Sequence, residues 1–269
     1  MPKIVGIIGG VGPAAGLDLH RKILLESGQA TRDQEHLEVL LHTNPRVPDR
    51  TRFLLRKSRV NPSHELIRSA GLLVRAGAEL LAVPCMTAHC DSIFGPLRDF
   101  VNRSTSARLV SLIDVVTRDL STRPSRPVGL LATEGTVRAG TVEGALAAVG
   151  CPVLVPDGLS QKRVDRAIGH IKAGNPALAF AAREELLAVS RRLARRGAAV
   201  LLLGCTEIPL VITEPAIDGA GILDPVRELA RALIAEARST RFGSKRNKES
   251  DRDGPRRAPS VRPTAQKAA

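Results

Sequence analysis

Two cysteines lie at equivalent positions of a repeated segment, where they could act together on one substrate. Residues 75–85 read RAGAELLAVPC and residues 195–205 read RRGAAVLLLGC, and at an offset of 120 five pairs coincide: Arg75/Arg195, Gly77/Gly197, Ala78/Ala198, Leu81/Leu201 and Cys85/Cys205. Each segment is typical of a helix end, a buried strand and then a cysteine. Because ligands of parallel α/β sheets bind beyond the carboxyl ends of strands, we expect the two thiols to approach one cleft from opposite sides. Such thiols suit a reaction that removes a proton from one face of a carbon atom and delivers one to the other face, which is a racemisation.

The elements that must position these thiols alternate between short apolar runs and amphipathic stretches. Predicted strands lie at 3–8, 38–42, 79–84, 108–111, 127–132, 152–155 and 199–203, and predicted helices at 14–26, 62–76, 141–148, 162–173, 176–196 and 225–237. A second echo, KIVGIIGGVG at 3–12 against RPVGLLATEG at 126–135, indicates two related halves. We therefore predict an α/β fold with two pseudo-symmetric parallel-sheet αβα halves and the active site in the cleft between them.

The charge distribution separates a folded body from a polar end. We predict a first α/β domain at 1–113 plus 221–240, a second at 114–220, and a disordered basic tail at 241–269. The tail holds nine Lys and Arg residues and three acids, a net charge of +6 within a total of +13. We expect non-specific attraction of polyanions to this tail. The chain has five Phe and no Tyr or Trp, so stacking platforms for single-stranded nucleic acid are nearly absent and no specific nucleic-acid partner is expected.

The apolar runs also bear on location. The chain begins MPKIVGIIGG, which holds no apolar stretch long enough for a signal peptide, and its longest strongly apolar run, 198–203, is too short to span a bilayer. We therefore expect a cytoplasmic protein without a membrane partner. In a reducing compartment the four cysteines are expected to be free thiols.

Motifs over residues 3–237 resemble those of the aspartate/glutamate racemase family, in particular its aspartate racemases. They are GIIGGVGPAAG (6–16), RDQEH (32–36), NPRVPDRT (44–51), PCMTAH (84–89), GLLATEGT (129–136), IKAGN (171–175), GCTEIP (204–209) and LDP (223–225). The resemblance implies a racemase that needs no cofactor, has Cys85 and Cys205 as its catalytic pair and forms a homodimer. It also implies that the amino-acid substrate is bound by Arg50, Met86, Thr87, Thr133, Thr136, Lys172 and Thr206.

Three positions bear on the choice of substrate. Met86 stands where the family's PCNT motif has Asn, and Val142 stands where many relatives have Tyr. Glu207 follows the second Cys-Thr pair, where glutamate racemases usually have His, and favours the aspartate branch. The expected reaction interconverts L- and D-aspartate or a similar acidic amino acid. The alternatives are a racemase or isomerase for another polar amino acid or a dicarboxylate, and a non-catalytic protein that binds small acids.

Other patterns in the same motifs favour neither a metal nor a cofactor. Cys85, His89 and Cys90 could suggest zinc, but the fourth ligand and the paired C-x-x-C spacing are missing, so His89 is assigned to orienting the Cys85 loop. The glycines of 9–16 imitate part of a dinucleotide fingerprint, but no acidic residue closes a second strand. We predict instead a tight turn whose backbone N–H groups and helix N-terminus face an anionic carboxylate.

The expected mechanism places positive charge beside the thiols. Arg50 and Lys172 would stabilise the negative charge that develops on the substrate carboxylate when the α-proton leaves. A nearby cation would also lower the pKa of a cysteine from its ordinary value of about 8.5 toward neutrality. One cysteine is then a thiolate and the other a thiol, and they exchange roles with the direction of the reaction.

Overall fold

The computed structural model describes residues 1–28 and 30–239 of the chain. The predicted basic tail, 241–269, and residue 240 of the predicted first domain lie outside the described residues. No helix in the described part is both long enough and apolar enough to cross a membrane.

The first sheet has four parallel strands in the order β2-β1-β3-β4. They are β1 Val5–Gly9, β2 Val39–Thr43, β3 Leu80–Ala82 and β4 Arg108–Val110. The central strand β1 is fully buried and pairs with β2 on one side and β3 on the other. Strands β1 and β3 are buried on both faces and consist of continuous apolar runs, which is why the sequence predicts them well.

The second sheet has five strands in the order β6-β5-β7-β9-β8. They are β5 Val128–Leu130, β6 Val153–Leu154, β7 Val200–Leu202, β8 Ala216–Ile217 and β9 Ala220–Leu223. Strands β8 and β9 are antiparallel, which corrects the expectation of a purely parallel sheet. Asp218 and Gly219 connect them with φ values of 46° and 82°, as a two-residue hairpin turn with both central residues at positive φ requires.

Ten α-helices surround the two sheets in the described part of the chain. They are α1 Ala15–Glu26, α2 Arg50–Leu54, α3 Ser63–Arg75, α4 Asp91–Ser104, α5 Leu112–Ser121, α6 Glu134–Ala139, α7 Thr141–Ala148, α8 Gly158–Lys172, α9 Pro176–Arg195 and α10 Pro225–Arg238. Helix α10 begins at a proline after Asp224, whose carboxylate accepts hydrogen bonds from the Val226 and Arg227 amides. It packs against α1 and α5.

The two halves repeat each other in structural detail, as the sequence echoes predict. In register, Val5 of β1 pairs with Leu80 of β3, and at the equivalent positions Val128 of β5 pairs with Val200 of β7. A Cβ atom placed on Gly6 would meet Ala78, Leu81 and Leu73, and one placed on Gly129 would meet Ala198, Leu201 and Leu193. These neighbours are the same three residues of the repeat, 120 positions apart. The α/β fold with two pseudo-symmetric halves is confirmed.

The boundary between the predicted domains is less clear than the repeat. One apolar cluster includes Val5 and Leu229 as well as Val128 and Leu202, and residues Met1–Ser239 form one unit. Strand β9 pairs with β7 of the second sheet, although the predicted first domain resumes at residue 221. The division into 1–113 plus 221–240 and 114–220 stays a prediction.

Candidate active site

The two repeated cysteines follow the carboxyl ends of equivalent central strands. Cys85 lies three residues beyond β3, at the start of a 3₁₀ turn over Met86–His89, and Cys205 lies three residues beyond β7. Both are buried, with 5% and 7% of their surface exposed. The Thr206 hydroxyl donates a 2.7 Å hydrogen bond to the Pro84 carbonyl, so the loop of one cysteine is tied directly to the loop of the other.

The two thiols are near enough to influence each other's ionisation. Burial raises the pKa of Cys205 to about 11; a charge on Cys85 acts in the same direction, whereas the Lys172 ammonium opposes it. The expectation that a cation brings the pKa toward neutrality is therefore correct in sign for Lys172, but desolvation outweighs it at Cys205. Cys205 is a neutral thiol at physiological pH in this state.

Four threonines form a hydroxyl cluster between the two halves. Thr87 of the Cys85 loop lies 2.8 Å from Thr136 and 3.2 Å from Thr133, measured between hydroxyl oxygens. Thr133 is the N-cap of α6 and accepts a 3.2 Å hydrogen bond from Thr51 of α2. Gly135 permits this approach, because a Cβ atom there would lie 2.8 Å from the Thr51 Cα atom. The structure thus brings Thr87, Thr133 and Thr136 together and adds Thr51, which the sequence analysis did not identify.

Two half-buried cations lie around the Cys205 loop. Arg50 is the first residue of α2, and its Nη1 donates to the Pro48 carbonyl at 3.3 Å, whereas its Nε is buried without a partner. Lys172 is the last residue of α8 and is close enough to lower the pKa of both Cys205 and Glu207. Neither cation forms an ion pair with a carboxylate among residues 1–28 and 30–239.

Glu207 is a member of this group whose role the sequence analysis missed. Its side chain is buried, and one carboxylate oxygen accepts a 3.1 Å hydrogen bond from the Ala14 amide at the start of α1. A Cβ atom on Gly12, whose φ is 140°, would lie 2.9 Å from the Glu207 carboxylate carbon. One amide next to the predicted turn, that of Ala14, therefore binds a carboxylate of the protein itself, and binding of a ligand carboxylate by the other amides stays a prediction. The glycine at position 12 was the signal that something approaches this loop closely.

Met86 lies in a different environment from the other residues of the predicted set. Its side chain is 1% exposed and belongs to the apolar cluster that also contains Leu112, Val142 and Leu146. Met86 and Val142, the two departures from the family pattern, therefore fall in one apolar cluster. Direct contact of Met86 with substrate stays a prediction, and its observed neighbours are those of a core residue.

His89 holds the Cys85 loop in place and has no free ring nitrogen. Its Nε2 lies 3.0 Å from the Leu112 amide, which can only donate, so Nδ1 carries the proton and donates to the Cys85 carbonyl at 2.9 Å. Burial lowers the pKa of His89 to about 4, so the ring is neutral. Both nitrogens are occupied by hydrogen bonds, which leaves no lone pair for a metal.

The remaining cysteines are also free thiols. Burial raises the pKa of Cys90 to about 11, and Cys151 packs in the apolar cluster that contains Met86.

Three cavities of about 320, 310 and 370 Å³ lie beside α8 and α9, beside His89 and α4, and between α10 and the loop after Cys205. The two repeated cysteines line none of these three cavities.

The chain is similar to known racemases in both sequence and structure. The family model for Asp/Glu/Hydantoin racemase matches residues 8–233. The Picrophilus torridus aspartate racemase is 28% identical, with a TM-score of 0.75 over 87% of this chain and 94% of that one. An aspartate racemase homologue from Pyrococcus horikoshii OT3 is 27% identical, with a TM-score of 0.67 over 88% and 99% of the two chains.

Two further matches are a distant solved structure and an uncharacterised protein. A glutamate racemase isoform from Bacillus anthracis is 16% identical, with a TM-score of 0.56 over 87% of this chain and 80% of that one, and shares the fold. An uncharacterised protein of Pectobacterium carotovorum is 33% identical over 108 residues, which are 40% of this chain and 70% of that protein.

Proposed function

The chain belongs to the Asp/Glu/hydantoin racemase family and is an isomerase of the racemase type. We propose that it interconverts L- and D-aspartate or a similar acidic amino acid. The observation that carries the proposal is the pair of buried cysteines beyond the ends of equivalent strands. Two cations lie near them, and neither cation forms an ion pair with a carboxylate in the described structure. Similarity to two proteins named for aspartate racemase, at 27% and 28% identity, supports the choice of aspartate.

The proton transfer uses one thiolate and one thiol. The thiolate removes the α-proton from one face of the substrate, which leaves a carbanion, and the opposite thiol donates its proton to the other face. The two sulfur atoms have then exchanged protonation states, so the return reaction proceeds by the same steps. Burial raises the pKa of Cys205 to about 11, which favours the neutral, proton-donating form of this thiol at the start of the cycle.

The positive charges around Cys205 would stabilise the carbanion. The α-proton of an amino acid is a much weaker acid than a thiol, so the site must stabilise the negative charge that spreads onto the α-carboxylate. Arg50 and Lys172 are not engaged in ion pairs among the described residues, and Arg50 has an unpartnered buried Nε. Both are free to bind the two carboxylates of aspartate. The hydroxyl groups of Thr87, Thr133 and Thr206 add neutral hydrogen-bonding groups.

A second candidate substrate class is favoured by one observation. Met86 and Val142 lie in one buried apolar cluster, where the family pattern has Asn and Tyr. Loss of these two polar groups would suit a different polar amino acid with a longer or less polar side chain. The absence of turnover with every amino acid would leave the third alternative, a protein that binds small acids without catalysis.

We also propose that the protein acts in the cytoplasm as a homodimer. Helix α1 exposes three leucines, Leu17, Leu24 and Leu25, which are 60%, 43% and 62% exposed, and burial against a second copy would remove this apolar face from water. Static light scattering measures the mass directly: twice the chain mass supports the dimer, and a monomer contradicts it.

The function is tested by chiral chromatography of purified protein incubated with single-enantiomer amino acids, without added pyridoxal phosphate. We expect L-aspartate to yield D-aspartate, and Cys85→Ala or Cys205→Ala to lower the rate by about 100- to 10,000-fold, because each removes an acid–base group. The double variant should be no slower than either single variant, because the pair acts as a unit. Cys151→Ala, which removes a buried thiol outside the site, is the matched control and should keep the wild-type rate. Full activity in either site variant would contradict the proposal.

A further inference from the structure

Glu207 presents one satisfied and one unsatisfied carboxylate oxygen inside the protein. The residue is 1% exposed. Its Oε1 accepts from the Ala14 amide, and its Oε2 is buried without any partner among the described residues. A buried carboxylate oxygen without a donor is unfavourable, because it has lost its water and gained nothing in exchange. The arrangement is complete only when a donor reaches Oε2.

The surroundings of Glu207 define the charge that this donor must have. Charges on Lys172 and Arg50 both stabilise the ionised carboxylate, although neither forms an ion pair with it in the described structure. Cys205 lies two residues before Glu207 and is affected by its charge. The site therefore offers two positive groups and one negative group. Aspartate carries two carboxylates and one ammonium group, which is the complementary pattern.

Two backbone groups near the start of α1 fix the position of Glu207. The Ala14 amide opens α1, where the helix dipole favours a negative charge, and the bare Gly12 backbone lies against the carboxylate carbon. Oε1 is therefore held in place and Oε2 remains available. The threonines around Cys85 are neutral groups that already bond to each other, so they do not supply a charged acceptor.

We infer that Glu207 Oε2 binds the α-ammonium group of the substrate and thereby selects amino acids over dicarboxylic acids that lack an amino group; this inference rests on the proposed racemase function. The bond would also keep the ammonium protonated beside the α-carbon, where its positive charge makes the α-proton more acidic. Burial raises the pKa of Glu207, and a bound ammonium acts in the opposite direction. Glu207 is then a substrate-binding residue rather than only a marker of the aspartate branch.

The test is calorimetric titration with L-aspartate and with succinate, which has both carboxylates of aspartate but no amino group. Wild-type protein should bind aspartate more tightly than succinate. In Glu207→Gln the affinity for aspartate should fall about tenfold to hundredfold, the range expected for one charge-assisted hydrogen bond. The affinity for succinate should stay constant or rise. Glu207→Asp keeps the charge and should keep the preference for aspartate.

Glu143→Gln is the matched control, because Glu143 also has a buried oxygen without a partner but lies on α7, outside the site. It should change neither affinity. Equal losses for both ligands in Glu207→Gln would show a structural role and overturn the inference. Wild-type protein that binds the two ligands equally, or binds neither, would also overturn it, even if the Gln variant failed to fold. Calorimetry requires no turnover, so preferential aspartate binding without racemisation would refute the proposed function and not the role of Glu207.

Discussion

At the residue scale, the proposed site depends on the contacts that position and desolvate each side chain as well as on the residue types. The sequence identified Cys85, Cys205, Arg50 and Lys172 by motif and repeat, and the structure places them on segments that meet. It did not identify Glu207 as part of the site, because the position of its carboxylate is set by a contact with the loop at Ala14. A contact between residues 193 positions apart leaves no local trace in the sequence beyond the small residue that makes room for it.

Substitution of Met86 tests whether the side chain at position 86, which departs from the family pattern, packs in the apolar core. We expect Met86→Asn to lower the free energy of unfolding by about 1–3 kcal/mol, because the amide would be buried in an apolar cluster without partners. Met86→Leu keeps the volume and apolar character and should cost less than about 1.5 kcal/mol. Urea denaturation of the three proteins measures both values. An Asn variant as stable as the Leu variant would show that position 86 faces polar surroundings after all.

His89 gives the protein a specific dependence of stability on pH. The pKa of His89 is about 4 in the folded protein against 6.5 for an ordinary histidine, so between these values the unfolded chain binds a proton that the folded protein does not. The free energy of unfolding should therefore fall as the pH is lowered from about 6.5 to about 4, by about 3 kcal/mol from this group, and fall no further from it below pH 4.

The measurement is urea denaturation across this pH range, for wild type and for His89→Gln, which cannot titrate. Other groups contribute equally to both proteins, so the difference between the two pH profiles isolates the histidine. Parallel profiles would mean that His89 has the same pKa in the folded and unfolded states, so that the folded protein takes up the proton as well, and the assigned hydrogen bonds of the neutral ring would then be wrong.

At the element scale, the sequence predicted seven of the nine strands and six of the ten α-helices of the described residues. It missed the amphipathic helix α5 and the long helix α4, as well as elements too short to show a period. Helices α2 and α6 have five and six residues, and β8 has two, too short for a repeating pattern. Helix α4 has apolar residues at helical spacing, but the Gly95–Pro96 pair inside it is typical of a chain break. The β8–β9 hairpin is set by the Asp218–Gly219 turn, a local signal that the strand–helix alternation obscured.

The repeated contacts of Gly6 and Gly129 make a prediction about packing between strand and helix. A methyl group at either position would lie 2.8–2.9 Å from a leucine side chain of the adjacent strand, so Gly6→Ala and Gly129→Ala should each lower the free energy of unfolding by about 1–3 kcal/mol. Gly169→Ala is the control, because Gly169 lies inside α8 and a methyl group there would have no neighbour within 4 Å. It should raise stability by about 0.5–1 kcal/mol through helix propensity. Thermal or urea denaturation measures all three, and equal effects at the three positions would contradict the assigned close contacts.

At the scale of the whole molecule, the repeat of one half places two buried thiols at equivalent positions. Each half supplies one cysteine at the same place, beyond its central strands, and the Thr206–Pro84 hydrogen bond joins the two loops. The pseudo-symmetry was visible in the sequence as two echoes in the same order. The relative placement of the halves was not, because it follows from side chains that meet across the boundary, such as those of Thr51 and Thr133.

Racemisation of L-aspartate in D₂O at low conversion shows whether the α-proton leaves to one half of the protein and a different proton arrives from the other half. Mass spectrometry or NMR of the separated enantiomers measures deuterium at the α-carbon. With two thiols on opposite faces, the D-aspartate formed should carry deuterium, while the remaining L-aspartate keeps its hydrogen. Product that retains the original hydrogen would show that a single group carries the proton between the faces, and would rule out the transfer by two thiols.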